Sequence, residues 1–139
     1  MSKLNELIKV HCPDGVEFMR LEDVASYMDG AAHESILGDE GKYIVTKVKF
    51  ISSDGQFKKY CDTRLSPVEK DDVIMVMSDL PNGKSLAKCF LIDKDGTYTI
   101  NQRVCSLTAN KDILNPRFFY YVLNRNEQLL KYDNGYNQT

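Results

Sequence analysis

A chain of 139 residues, 42% hydrophobic and 27% charged, fits one globular domain able to bury a core. Its formal charge of −2 excludes a surface that is basic all over, although one basic face would be enough to meet nucleic acid. Cys12, Cys61, Cys89 and Cys105 form no C-x-x-C pair and have no histidine at ligand spacing, which argues against zinc and for free, mostly buried thiols in a reducing compartment.

Leu4, Leu7 and Ile8 fall at i, i+3 and i+4 and predict a short amphipathic helix over residues 2–10, broken by Cys12-Pro13-Asp14-Gly15. Residues 20–24 fit one helical turn, and 25–28 a short strand. Residues 29–42, rich in Gly, Ala and acidic side chains, read as a loop. The run Tyr43-Ile44-Val45-Thr46-Lys47-Val48-Lys49-Phe50-Ile51 is β-branched and aromatic and predicts a strand. Lys47 and Lys49 would lie on one of its faces, Val48 and Phe50 on the other. Ser52-Ser53-Asp54-Gly55 predicts a turn, and residues 56–61 a return strand. Asp72-Val73-Ile74-Met75-Val76-Met77 is apolar on both faces, the pattern of a buried strand.

Residues 86–92 predict another strand, Asp93-Lys94-Asp95-Gly96 a hairpin turn, and residues 97–107 a further strand. Asn115-Pro116 reads as an N-cap with proline at the first helical position. The helix it opens is expected to reach Lys131, with Phe118, Phe119, Val122, Leu123, Leu129 and Leu130 as its apolar side, and to end at Asp133-Asn134-Gly135. Helix, strands, then helix predicts an α+β fold: a twisted, largely antiparallel sheet with flanking helices. The chain reads as a single domain over 1–139, with its N-terminal helix within residues 1–12.

Gly83-Lys84-Ser85 ends like a phosphate-binding loop, G-x-x-x-x-G-K-[ST], but Ser78 stands where the first glycine belongs. The residues after Lys84 favour a strand, whereas phosphate binding needs a helix N-terminus there. Pro81-Asn82-Gly83 is by itself a good turn. A P-loop-like nucleotide-binding protein is therefore the alternative reading. His11 and His33 are isolated and read as surface or loop histidines. Asp93-Lys94-Asp95-Gly96 lacks the closing glutamate of a calcium loop. No catalytic set, cofactor motif or metal site is predicted. The N-terminus lacks the parts of a signal peptide, and no apolar run is long enough to span a membrane, so a cytoplasmic protein without a membrane partner is expected.

What remains is basic and amide material on turns and strand faces: Lys47, Lys49, Lys58, Lys59, Arg64, Lys84, Lys88 and Arg103, with Asn82, Asn101 and Gln102. Asparagine and glutamine can pair with adenine edges, and Arg or Lys with guanine. Lysines on a strand face are more commonly just solvated, and the amides of Asn101 and Gln102 would serve equally well to tie down a strand end.

Several stretches, in order, resemble one family. They are Gly41-Lys42-Tyr43 to Phe50-Ile51-Ser52, Lys70-Asp71-Asp72-Val73-Ile74 to Asn82-Gly83-Lys84, Thr99-Ile100-Asn101-Gln102-Arg103-Val104, and Phe118-Phe119-Tyr120-Tyr121-Val122-Leu123 to Tyr136-Asn137-Gln138-Thr139. Together they resemble a target-recognition domain of the specificity (S) subunit of type I restriction-modification systems. The opening, with Cys12-Pro13-Asp14-Gly15-Val16-Glu17, is similar to the start of such a subunit.

The resemblance implies a non-catalytic reader of double-stranded DNA that recognises half of a bipartite target. It implies docking of a methyltransferase (M) subunit, which binds S-adenosylmethionine, and of a motor-nuclease (R) subunit in the full complex. The family would continue past Thr139 into a spacer helix and a second recognition domain, so one domain is expected to bind half a site at best. The expected DNA contacts are Lys47, Lys49, Lys84 and Lys88 toward phosphates, and Asn82, Asn101, Gln102 and Arg103 near bases or phosphates. A module that docks only a methyltransferase subunit is a further alternative.

Overall fold

The computed structural model describes residues 2–79 and 84–131. Helix α1 (Lys3–His11) is capped by Ser2, whose Oγ accepts from the Asn5 N–H at 3.2 Å. Its stripe of Leu4 and Leu7 stays exposed. Helix α2 (Leu21–Val24) leads into strand β1 (Ala25–Asp29). The loop that follows holds a short 3-10 helix, Glu34–Ile36. Then come β2 (Tyr43–Thr46), α3 (Val48–Ser52), β3 (Lys59–Cys61), β4 (Pro67–Val68), β5 (Val73–Val76), β6 (Cys89–Leu91), β7 (Tyr98–Ile100) and β8 (Val104–Ala109). Helices α4 (Pro116–Leu123) and α5 (Glu127–Leu130) close the described chain.

The expected α+β class holds, and its largely antiparallel strands are shared between two four-stranded sheets. One sheet has the order β1-β8-β5-β6 and is antiparallel throughout. The other has the order β3-β2-β7-β4, with β2 and β7 parallel. Strand β5 explains the doubly apolar run. Ile74 and Val76 point into a cluster with Phe50, Ile51, Val68, Ile92, Tyr98, Ile100 and Val104, between the sheets. Val73 and Met75 point the other way, into a cluster with Cys89, Cys105, Leu107, Phe119 and Leu123 beneath α4. The first sheet is thus the middle layer of three, and both faces of its central strands are apolar.

The predicted strand over 43–51 stops at Thr46, and residues 48–52 wind into α3. The physical reason is burial. Phe50 and Ile51 are consecutive and both fully buried, which a strand exposed on one face does not permit but a helical turn wedged between sheets does. Phe50 packs edge-on against Phe90 and Tyr98, with ring centroids 4.9 and 6.0 Å away. Asp54 (φ 53°) and Gly55 (φ 85°) end the helix, with the Gly55 N–H returning to the Phe50 carbonyl.

Two further expectations need correction. The Asp93-Lys94-Asp95-Gly96 turn is no hairpin, because β6 and β7 belong to different sheets. The long C-terminal helix breaks after Leu123. Arg125 takes φ 53°, Asn124 Oδ1 accepts from the Cys89 N–H, and Asn126 caps α5. Asparagine amides compete with helical hydrogen bonds in this way. The Asn115-Pro116 start is as expected, with Asn115 Oδ1 accepting from the N–H groups of Arg117 and Phe118. The expected end at Asp133-Asn134-Gly135 lies outside the described residues.

All four cysteines are free; Cys61, Cys89 and Cys105 are buried and Cys12 half-buried. Burial pushes the thiols of Cys89 and Cys105 upward, that of Cys105 to about 12. In a thiol-titration time course at pH 8, one group, Cys12, should react quickly, and the other three at least ~100-fold more slowly until denaturant is added. Rapid reaction of two or more would mean that the core opens readily.

Candidate functional site

The two sheets diverge at Asn101-Gln102-Arg103. Strand β7 ends just before this turn and β8 begins just after it, so the predicted continuous strand over 97–107 bends from one sheet into the other. Arg103 accomplishes the bend with φ 69°, while its carbonyl accepts from the Met77 N–H at 2.7 Å. Beside the turn opens a cavity of about 540 Å³. Lys47 and Lys49 border it from the start of α3, Glu34 from the 3-10 helix, and Asp79 and Ser85 from the β5–β6 connection. Asn101, Gln102 and Arg103 complete the rim.

A buried knot holds the turn in place. His33 is fully buried and its N–H donates to Asn101 Oδ1 at 2.9 Å. Its Nδ1 lies 2.7 Å from the Ala31 carbonyl, which can only accept, so Nδ1 carries the proton. Nε2 then accepts from the Leu65 N–H at 3.3 Å and from Thr99 Oγ1 at 3.0 Å. Thr99 Oγ1 in turn accepts from the Ser66 N–H. The expectation of a surface or loop histidine is corrected on its first half: His33 lies in a loop, but the loop folds inward and its backbone groups need that ring.

Asn101 is likewise consumed. It is 3% exposed, and its Nδ2 donates to Glu34 Oε1 at 3.0 Å. That bond, helped by the Lys47 ammonium 3.7 Å away, holds the Glu34 carboxyl below its ordinary range. The amide of Asn101, expected near bases or phosphates, ties down a strand end through these two bonds.

The cations sort in the same way. Lys47 and Lys49 do not share a strand face: Lys47 precedes α3 and faces Glu34, and Lys49 lies in the helix with its Nζ 4.5 Å above the Phe57 ring. Both nevertheless reach the cavity. Lys88 does not line it: its Nζ lies 3.1 Å from Asp54 Oδ1 and donates to the carbonyl of Ser52, a lining residue. Lys59 pairs with Asp39, and Arg64 with Glu69. Lys84 is exposed just before Ser85, and Asn82 lies outside the described residues. Gln102 and Arg103 are exposed, and no side-chain partner for either is found among the described residues.

Sequence reasoning missed Glu34, Phe57, Asp79 and Ser85 as cavity residues. Asp79 left a trace: its carboxylate accepts from the Ser85 N–H at 2.7 Å, and aspartate is a residue suited to such a clasp on a nearby backbone N–H. Glu34 left none.

The nucleotide-loop alternative is contradicted by the backbone. Residues 84–87 form a turn and Cys89–Leu91 a strand, so no helix N-terminus points back at Lys84. Ser78 is buried with its hydroxyl unpartnered among the described residues. A second cavity, about 370 Å³, lies between Arg20, Leu21 and Glu22 and the edge strand β1, and is mostly apolar. Among the described residues no cluster of three potential metal ligands occurs, and no helix is long and apolar enough to cross a membrane.

Residues 13–139 match the model of a family described as the type I restriction modification DNA specificity domain. A solved structure, the type I restriction-modification system S subunit from M. genitalium, superposes over 94% of this chain with a TM-score of 0.60 and 17% identity. The chain spans 34% of that subunit's length. No curated protein matches at a significant level.

Proposed function

Because this chain belongs to the type I restriction-modification DNA specificity family, we propose that it binds double-stranded DNA through the cavity beside Asn101-Gln102-Arg103. The family serves DNA target specificity, so the chain contributes recognition and not catalysis. One observation carries the placement of the site. At the junction of the two sheets, Lys49, Gln102 and Arg103 present hydrogen-bond donors at one opening while their neighbours are held rigidly from behind. Affinity comes from phosphate contacts by cations such as Lys49 and Lys84, and sequence is read by groups that reach base edges.

The chain covers about a third of the solved S subunit, which supports a reader of one half of a bipartite target. Docking of a methyltransferase subunit, and of a motor-nuclease subunit in the full complex, belongs to the same proposal. A half-site reader binds weakly alone and gains affinity when linked to a second reader.

Titration with short duplexes at several salt concentrations tests this. Binding should fall steeply with salt, and Lys49→Ala should flatten the log–log slope by about 0.9 if it meets one phosphate. Absence of duplex binding at low salt would overturn the reading.

A further inference from the structure

The residues around the cavity are not equivalent. Asn101 is spent on His33 and Glu34, Lys47 faces Glu34, and Asp79 is spent on Ser85. Gln102 and Arg103 are exposed at the tip of the turn, with no side-chain partner among the described residues.

The backbone of Arg103 adds an independent sign. Among the described residues, five other than glycine have positive φ: Asp54, Asp71, Ala87, Arg103 and Arg125. Aspartate adopts this conformation readily. Ala87 carries a strand-end hydrogen bond, and Arg125 donates its guanidinium to the Leu86 carbonyl at 2.6 Å. The Arg103 backbone is also bonded, its carbonyl accepting from the Met77 N–H, but its side chain has no partner among the described residues and it stands where glycine would be less strained.

Glu34 and Asp79 border the cavity together with Lys47, Lys49 and Arg103, and Lys47 stands 3.7 Å from Glu34. Arginine offers several donors and no acceptor, which fits the two acceptors on the guanine edge, whereas glutamine offers one of each, which fits adenine.

From these observations we infer that the tip Gln102-Arg103, held out by the buried His33–Asn101 clamp, is the base-reading element of the cavity, taking guanine with Arg103 and an adjacent adenine with Gln102. His33 and Asn101 are positioning residues. Lys49, held over Phe57 at the rim, meets the backbone and carries no sequence preference.

This rests on the DNA-binding reading above. The test is selection from a pool of randomised duplexes at low salt by the full chain, its Arg103→Gly, Gln102→Ala and Lys49→Ala variants, with melting temperatures measured alongside. Wild type should enrich sequences with guanine beside adenine. Arg103→Gly should melt at the same temperature or higher, since glycine removes the strain, yet lose roughly tenfold or more of the preference for guanine. Gln102→Ala should relax the adenine position alone, and Lys49→Ala should weaken all sequences alike. Retention of the guanine preference by Arg103→Gly, or enrichment of sequences without guanine by wild type, would overturn the assignment. Duplex binding without any sequence preference would overturn it while leaving the DNA-binding reading in place. No binding of any duplex would overturn both.

Discussion

Gly30→Ala should destabilise the fold by more than about 3 kcal/mol and lower its melting temperature by roughly 10 °C. Gly30 follows β1 and donates its N–H to the Val104 carbonyl at 2.9 Å. A Cβ built there would stand 1.9 Å from the Asn101 carbonyl oxygen and 2.7 Å from that of Val104. Both are backbone atoms of the β7–β8 junction, so no side chain can swing away to make room. The junction itself must move, and with it the turn that carries Gln102 and Arg103. Calorimetry or thermal circular dichroism gives the answer. A drop of less than about 3 °C would mean that the junction yields easily, and that its geometry is less tightly fixed than these contacts imply.

His33→Ala should cost about 3–5 kcal/mol. The substitution opens a void in a fully buried place. It also strands the Ala31 carbonyl, the Leu65 N–H and the Thr99 hydroxyl, each of which loses the ring nitrogen it now faces. Unmet buried polar groups cost about 1–3 kcal/mol each, partly recovered where water enters. The measurement is a denaturant midpoint at constant m-value. A loss under about 1 kcal/mol would show that the network is loosely held. Gly30 and His33 both lie directly behind the proposed recognition surface. A rigid support of this kind suits a reader, because base discrimination fails when contacting side chains are free to drift.

The C-terminal helix shows how local and global signals divide. Asn115-Pro116 was legible as a helix start because capping is settled within one turn, by the asparagine oxygen and the preset proline φ. The break at Asn124-Arg125-Asn126 was not, although both asparagines were in view. What decides it is the Cys89 N–H, which strand β6 brings up to donate to Asn124 Oδ1 at 2.9 Å. The run 43–51 makes the same point in reverse. Its β-branched and aromatic content favoured a strand throughout, and the need to bury Phe50 and Ile51 together overrode that preference from Val48 onward.

The candidate site divides similarly. Lys47, Lys49, Gln102 and Arg103 were singled out for their chemistry, and the fold brings them to one cavity. Lys88 had equal chemical claim, but Asp54 and the Ser52 carbonyl engage its ammonium. Asn101 looked equally able to read a base or to hold a strand end, and only the arrival of His33 and Glu34 decides between them.

The sequence by itself determined the α+β class, the buried β5 strand, the capped start of α4 and the resemblance to a specificity domain. Each of these depends on short-range pattern: apolar periodicity, a cap, or ordered motifs along the chain. Only the tertiary structure decided that the strands form two sheets, that the run 97–107 bends between them, and which polar side chains are spent and which are exposed at the rim. Those outcomes depend on pairings between residues far apart in the chain, such as His33 with Thr99 and Gly30 with Val104. Such pairings are selected by burial and hydrogen-bond satisfaction across the whole core, which no local stretch of sequence encodes.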